Sequence, residues 1–256
     1  MNSLRLAMNG IRSSLAVFLC LLWSSNFQQL FAQEPPGRYR VTGYAELGES
    51  QVSDGIYLRS AILGSARYGK YRAEAGTQLD IRSSNGNVLS GYSLTASRQM
   101  RIREFPFGVQ VFYRGTRFSD VLVESNWGFL LEIQRSHISA DLGSNFRTYA
   151  FTRDAVELYS LDGNSRIREN FNLMYSFSCQ LKPAEHRWNI GLSVTNHDYF
   201  LINQETNPVY NLKGQYRVRS PVELFAEAWL KRCGGQNLSV NYFGFFFRTG
   251  VVWDIR

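Results

Sequence analysis

The chain has 256 residues, of which 28 are lysine or arginine and 21 are aspartate or glutamate, giving a formal net charge of +7. This excess is mild, and the basic residues stand singly between acidic ones, whereas a nucleic-acid surface clusters its positive charge. We therefore expect no nucleic-acid partner. After the amino-terminal segment, no continuous apolar run reaches the length of about 20 residues that a bilayer-crossing helix needs.

The first 32 residues have the pattern of a secretory signal peptide. Residues 1–14 contain Arg5 and Arg12 and no acid, residues 15–23 are apolar, and the small residue Ala32 precedes the predicted cleavage site. Loss of this segment leaves a charge of about +5 on the exported chain. Residues 33–37 are then a short periplasmic leader, and residues 38–256 form the predicted folded domain. A buried amino-terminal helix of a cytosolic protein is the alternative interpretation.

Apolar and polar residues begin to alternate directly after this leader. Such alternation indicates strands with one apolar face, because successive strand side chains point to opposite sides. We predict about twelve strands, an even number as single-chain bacterial membrane barrels require. They lie at residues 39–47, 56–66, 71–81, 88–100, 105–116, 127–134, 138–148, 171–181, 188–196, 209–219, 222–231 and 243–255.

The connections between these strands alternate in length. Short links fall at residues 69–70, 103–104, 136–137, 183–185 and 220–221, with longer polar links between them. Membrane barrels alternate short periplasmic turns with longer external loops, whereas a soluble sandwich has no reason to keep that order. The sequence therefore predicts an all-β, antiparallel, up-and-down transmembrane barrel that is closed by pairing of the first and last strands.

The last strand has an apolar row long enough to span a bilayer, formed by Phe243, Phe245, Phe247, Thr249, Val251, Trp253 and Ile255. It resembles the carboxy-terminal signal that the barrel assembly machinery reads in Gram-negative outer-membrane proteins, although the final residue, Arg256, is not aromatic. The resemblance is to the general class of Gram-negative outer-membrane β-barrels. It implies an outer-membrane location, contact with outer-membrane lipid, and the barrel assembly machinery as a partner.

The row opposite the apolar one carries charges of both signs, as a wet or ion-paired barrel interior would. A solvated face of a soluble protein is the alternative. The residues that we predict to line the interior are Arg72, Glu74, Arg114, Arg147, Arg217, Glu227 and Arg248. Because basic residues slightly outnumber acids on this row, we expect a weak preference for small anionic solutes.

Two external loops bear on function. The longest, residues 149–170, contains the apolar run 155–159 and is predicted to pack on the rim, to fold into the mouth as a constriction, or to remain a surface loop. His197 and Asp198 fall in the predicted external loop 197–208. They lack a second cluster of ligands, and we predict no metal site and no cofactor.

The leading functional hypothesis is a narrow, porin-like passive channel with a charged interior. The first alternative is a non-conducting structural or adaptor barrel of a secretion or surface-assembly system. The second is an outer-membrane lipid hydrolase, for which His137 and Ser139 have the H-x-S spacing of outer-membrane phospholipases. This pair lies at a predicted periplasmic turn and no Asn-Gly element follows it, so a histidine that caps the turn is the preferred interpretation.

Overall fold

The structure is a computed structural model that describes residues 38–49, 56–81, 88–102, 105–117, 121–135, 137–181, 186–200, 202, 208–232 and 243–255. The predicted signal peptide, residues 1–32, and the predicted leader, residues 33–37, lie outside the described residues.

Twelve strands and one short helix make up the described chain. The strands are β1 (Arg38–Glu49), β2 (Ile56–Tyr68), β3 (Tyr71–Asp80), β4 (Leu89–Ile102), β5 (Phe105–Arg117), β6 (Leu122–Arg135), β7 (Ile138–Phe151), β8 (Arg166–Gln180), β9 (Trp188–Thr195), β10 (Val209–Arg219), β11 (Val222–Arg232) and β12 (Phe243–Ile255). The helix α1 (Arg153–Tyr159) lies between β7 and β8.

The strands form one closed antiparallel barrel in which each strand pairs with its neighbours in sequence. Closure is made by β1 and β12, whose register runs from Tyr39 opposite Ile255 to Gly48 opposite Phe246. Because the sheet is closed, none of the twelve described strands is a free edge strand, which is a condition for crossing a bilayer. The predicted fold class, including closure by the first and last strands, is confirmed.

The tight turns follow from local sequence. Between β2 and β3, Gly69 has a positive φ of 54°, a backbone region that glycine enters without steric cost. The strand bounds match the prediction to within three residues except at two polar ends. β6 begins at Leu122 instead of Trp127, and β8 begins at Arg166 instead of Phe171. Both extensions pair with the last residues of β7, so their strand conformation depends on cross-strand contacts more than on apolar alternation.

The two faces of the barrel differ as the alternation requires. Large apolar side chains on the outer face are exposed, among them Leu131, Leu192, Leu224 and Phe247. An exposed apolar belt of this kind is what a lipid-facing barrel wall presents. The inner face carries buried polar and charged residues, among them Glu46, Arg147, Glu227 and Arg248.

Helix α1 lies beside the last residue of β5 and the residue that precedes β6. The Thr152 side chain caps it by accepting a hydrogen bond from the Ala155 amide, and the Thr152 amide donates to the Val121 carbonyl. Asp154 lies 3.8 Å from Arg117 at the end of β5. The described part of the longest loop therefore contacts the rim. No helix among the described residues has the length and hydropathy of a membrane-crossing segment.

Candidate functional site

A belt of alternating charges runs around part of the inner wall. The register places Lys213, Glu227, Arg248 and Glu46 directly opposite one another on β10, β11, β12 and β1. The corresponding distances are 2.9 Å for Lys213 to Glu227, 3.3 Å for Glu227 to Arg248, and 2.6 Å for Arg248 to Glu46. We call these four residues the charged belt. Opposite charges on facing strands stabilise both the register and the closure of the barrel.

Arg248 is the centre of this belt. Its guanidinium also lies over the ring of Tyr44 at 4.4 Å and within 5.5 Å of the rings of Trp229 and Phe246. The Trp229 indole donates to Glu227, which orients one of the belt carboxylates. With 4% of its side chain exposed, Arg248 needs these partners, since an isolated buried charge is costly.

On one side of the belt, the interior contains a cavity of about 260 Å³. Its lining comes from β1, β2, β3 and from β8 through β12, so the cavity faces both walls of the barrel. The lining includes six basic residues, Arg40, Arg72, Arg187, Lys213, Arg217 and Arg248, and four acids, Glu74, Glu223, Glu227 and Asp254. It is therefore mainly polar and has an excess of positive charge.

A segment between β9 and β10 enters the barrel interior. We call residues 196–200 together with Ile202 the inner segment. His197 and Ile202 form an isolated antiparallel bridge, so the chain turns back on itself between them. The prediction that His197 and Asp198 lie in an external loop is wrong. The His197 ring instead lies 2.9 Å from Asp141 on β7, and Asp198 contacts Arg248 on β12.

Two apolar clusters hold the inner segment against the wall. Phe200, which is 5% exposed, packs with Tyr44, Ala61, Leu63 and Phe225 of β1, β2 and β11. Burying an aromatic ring of this size stabilises the seated segment by about 2–3 kcal/mol.

The second cluster lies on the other wall. Ile202 packs with Phe112, Leu130 and Met174 of β5, β6 and β8. The backbone carbonyl of Phe200 accepts from Thr116, and that of Ile202 accepts from Arg147. The inner segment therefore contacts opposite sides of the barrel.

The polar attachment of the segment to β12 is made by the Asp198 carboxylate. Its Oδ2 accepts a hydrogen bond of 2.6 Å from Arg248 Nη2, and its Oδ1 accepts one of 2.9 Å from the Phe200 amide. Burial by itself raises the pKa of Asp198, but the Arg248 and Arg114 charges and the Phe200 amide outweigh it and hold the pKa below the usual aspartate value. Asp198 is therefore ionised at neutral pH.

A second polar group surrounds Arg147 on β7, which is 1% exposed. Its guanidinium lies 3.5 Å from Glu124 and 3.2 Å from Glu169, and it also donates to Asn126. Asn126 in turn accepts from Asn145 at 2.6 Å. This network joins β6, β7 and β8 at the end where the inner segment enters.

Arg114 on β5 is buried in a different way. It is 4% exposed, and its guanidinium lies 4.5 Å from the centre of the Phe112 ring. Within the described ranges, its Nε and Nη1 groups have no hydrogen-bond partner. A buried guanidinium with unused donors is uncommon, because each unmade hydrogen bond costs about 1–3 kcal/mol.

The structure places the seven predicted interior residues as follows. Arg72 and Glu74 on β3 pair with each other at 2.6 Å and line the cavity, and Arg217 lines it from β10. Glu227 and Arg248 join in the charged belt. Arg114 and Arg147 are buried on β5 and β7 and are absent from the cavity lining. The set of interior residues predicted from the sequence does not contain His197, Asp198, Tyr199, Glu124, Asn126 or Glu169.

The candidate hydrolase pair is arranged without a catalytic contact. His137 Nδ1 lies 3.2 Å from the Gln180 carbonyl, and Ser139 Oγ lies 2.5 Å from Ser178 Oγ. His137 and Ser139 thus each form a hydrogen bond with β8 and none with each other. This arrangement fits a histidine that caps a turn. Among the described residues, no three His, Cys, Asp or Glu side chains are grouped as metal ligands.

Neither a protein-family model nor a curated protein matches the sequence. Solved structures do match the fold. The NanC porin aligns with a TM-score of 0.52 at 10% identity, covering 84% of this chain and 100% of that chain. The KdgM porin aligns with a TM-score of 0.51 at 10% identity, covering 85% and 99%. The KdgM porin in complex with disordered oligogalacturonate aligns with a TM-score of 0.50 at 11% identity, covering 85% of this chain and 99% of that chain.

At these identities the likeness shows the fold. The chain is a closed twelve-stranded antiparallel barrel, and the solved structures that it resembles are porins of the outer-membrane β-barrel class. The resemblance to outer-membrane β-barrels that the sequence indicated is thereby confirmed.

Proposed function

We propose that the protein is a porin-like channel of the Gram-negative outer membrane that passes small anionic solutes through a narrow, charged interior. The observation that carries this proposal is the cavity inside the closed barrel, whose lining has six basic and four acidic residues. A concave, polar surface with an excess of positive charge favours entry of anions. The KdgM porin, which has a similar fold, was solved in complex with oligogalacturonate.

Solvent access to the interior supports a channel over a filled barrel. Tyr199 belongs to the inner segment and lines the cavity, yet 42% of its surface is exposed. A residue inside a closed barrel keeps that exposure only where space for water is present. The inner segment, however, contacts opposite walls of the barrel. The proposed channel is therefore narrow, and it is closed while the segment is seated.

The seated segment also favours a second candidate function, a non-conducting structural or adaptor barrel. In that case the two apolar clusters around Phe200 and Ile202 fill the interior permanently. The two functions differ in one measurable property, the movement of ions through the barrel.

The proposed route to the membrane is export by the signal peptide at residues 1–32, followed by insertion by the barrel assembly machinery through β12. The exposed apolar residues Phe245, Phe247, Val251 and Trp253 on that strand suit both the assembly signal and contact with lipid. Folded barrels of this type resist SDS until they are boiled, so an SDS gel of the protein purified from outer membranes tests both fold and location.

The experiment that tests the channel is a planar-bilayer recording of the full-length gene product purified from the membranes of a Gram-negative host. The proposal predicts discrete conductance steps, which become more frequent when residues 196–202 are replaced by a Gly-Ser linker of equal length. A folded, SDS-resistant variant with this linker that still gives no conductance would overturn the channel and leave the adaptor function.

A further inference from the structure

The contact between Asp198 and Arg248 has the geometry of a bound carboxylate ligand. One carboxylate oxygen of Asp198 lies 2.6 Å from the guanidinium, and both side chains are at most 5% exposed. The other oxygen accepts from the amide of Phe200 within the same segment. A charge-assisted bond of this length is among the stronger interactions that a carboxylate makes with a protein.

Asp198 differs from the other acids of the interior because it belongs to no strand. The cavity cations Arg40, Arg72 and Lys213 pair with Asp254, Glu74 and Glu227, all of which are strand residues. Their positions are fixed by the barrel register. Asp198 reaches Arg248 from the inner segment and can therefore leave without any change in strand pairing.

The charge balance around Asp198 points to a second cation. In the charged belt, Arg248 and Lys213 are already matched by Glu46 and Glu227. Asp198 adds a third carboxylate. Arg114 is a further cation close to the inner segment, because its guanidinium lies 4.5 Å from the centre of the Phe112 ring, and Phe112 packs against Ile202. The Nε and Nη1 groups of Arg114 have no hydrogen-bond partner among the described residues, so departure of Asp198 leaves a buried positive charge without a matching anion.

We propose that Arg248 is a binding site for the carboxylate of a solute, with Arg114 as a further cation near the inner segment, and that Asp198 occupies this site as a built-in competitor. This inference rests on the proposed channel function, since a solute has to enter the barrel. Arg248 lines the cavity, so the site is reached from there. A solute carboxylate that takes the place of Asp198 removes the polar attachment of the inner segment to β12 and so weakens its seating. Binding and opening are then two results of one exchange.

The test measures binding by calorimetry on the folded full-length protein in detergent. The probe is propionate, which has a carboxylate like that of Asp198, and the control ligand is propionamide, its neutral counterpart. In Asp198→Asn the site is no longer occupied by a carboxylate. If Asp198 fills the site in about nine molecules of ten, propionate binds about tenfold more tightly to this variant than to the wild type. Propionamide affinity stays unchanged.

Three further variants separate the site from a general charge effect. Asp254→Asn removes one negative charge from the same cavity but frees Arg40, not Arg248, and it leaves propionate affinity within about twofold of wild type. Adding Arg114→Gln to Asp198→Asn reverses the gain. Phe200→Ala, which unseats the segment without changing any charge, reproduces the gain, so the test does not depend on one variant.

Two results would overturn the site. The first is a gain in propionate affinity in Asp254→Asn that equals the gain in Asp198→Asn. The second is the absence of any gain in both Asp198→Asn and Phe200→Ala. Calorimetry requires no ion flow, so the outcome is separate from that of the channel. Conductance without the affinity gain refutes the site alone, and the affinity gain without conductance refutes the channel alone.

Discussion

The replacement Phe200→Ala addresses the apolar attachment of the inner segment. The ring is 5% exposed among Tyr44, Ala61, Leu63 and Phe225, and none of these strand residues needs Phe200 for its pairing. Removing a buried phenylalanine side chain costs about 3–5 kcal/mol in a protein core. Here the loss falls on the seated position of the segment, while the barrel keeps its strand pairing.

A change of about 3 kcal/mol shifts the ratio of seated to unseated segment by about two orders of magnitude, since each 1.4 kcal/mol is about a factor of ten. We expect the ratio of closed to open time in single-channel recordings to fall by a similar factor. The matched control is Phe247→Ala, which removes the same side chain from the outer face, where it is 54% exposed. Its gating is expected to equal that of the wild type. A folded Phe200→Ala protein whose ratio stays within about threefold of the wild type would refute the role of the segment.

Three further predictions concern the charged groups. Arg248→Leu leaves Glu46, Glu227 and Asp198 without their shared cation. We expect thermal unfolding, followed on SDS gels, to show a loss of stability of about 3–5 kcal/mol. The control Arg40→Leu breaks a half-exposed ion pair and changes stability by at most about 1 kcal/mol. An unchanged melting temperature in Arg248→Leu would contradict the belt. Because the pKa of Asp198 is lowered, its stabilisation of the seated segment is present above about pH 4 and is lost as the pH falls through the lowered pKa. We therefore expect the open probability to be constant from about pH 8 to pH 5 and to rise only in stronger acid. This rise is absent in Asp198→Asn. An opening transition near neutral pH would contradict the role of the Asp198 carboxylate. Arg147→Met removes the cation shared by Glu124 and Glu169 and the bond to the Ile202 carbonyl, and faster proteolysis of the inner segment than in wild type is the expected result.

The barrel was predictable because its signal is local. Alternation with a period of two sets the two faces, and the lengths of the connections set the up-and-down order. The strand ends at Leu122 and Arg166 were missed for a related reason. Their inward residues, Glu124 and Glu169, are polar and are stabilised by Arg147 on the strand between them, which no single segment reveals.

The inner segment was not predicted, since its contacts join residues far apart in the chain. A signal for it was nevertheless present. Leu63, Phe112, Leu130, Met174 and Phe225 stand on the row that otherwise carries charge, and an interior filled only with water gives such side chains no apolar partner. Large apolar residues on the polar row of a barrel therefore predict an inserted segment. The seven predicted interior residues followed from strand parity alone, but their grouping with Asp198 required the structure.

The most direct test of selective anion passage through the barrel is the zero-current potential of the purified protein in a tenfold KCl gradient across a planar bilayer. The recording uses Phe200→Ala, in which the expected open time is long, beside the wild type. With six basic and four acidic residues around the cavity, we expect a potential that reports preferential passage of chloride in both proteins. A preference for potassium, or a folded Phe200→Ala barrel that passes no current, would contradict it.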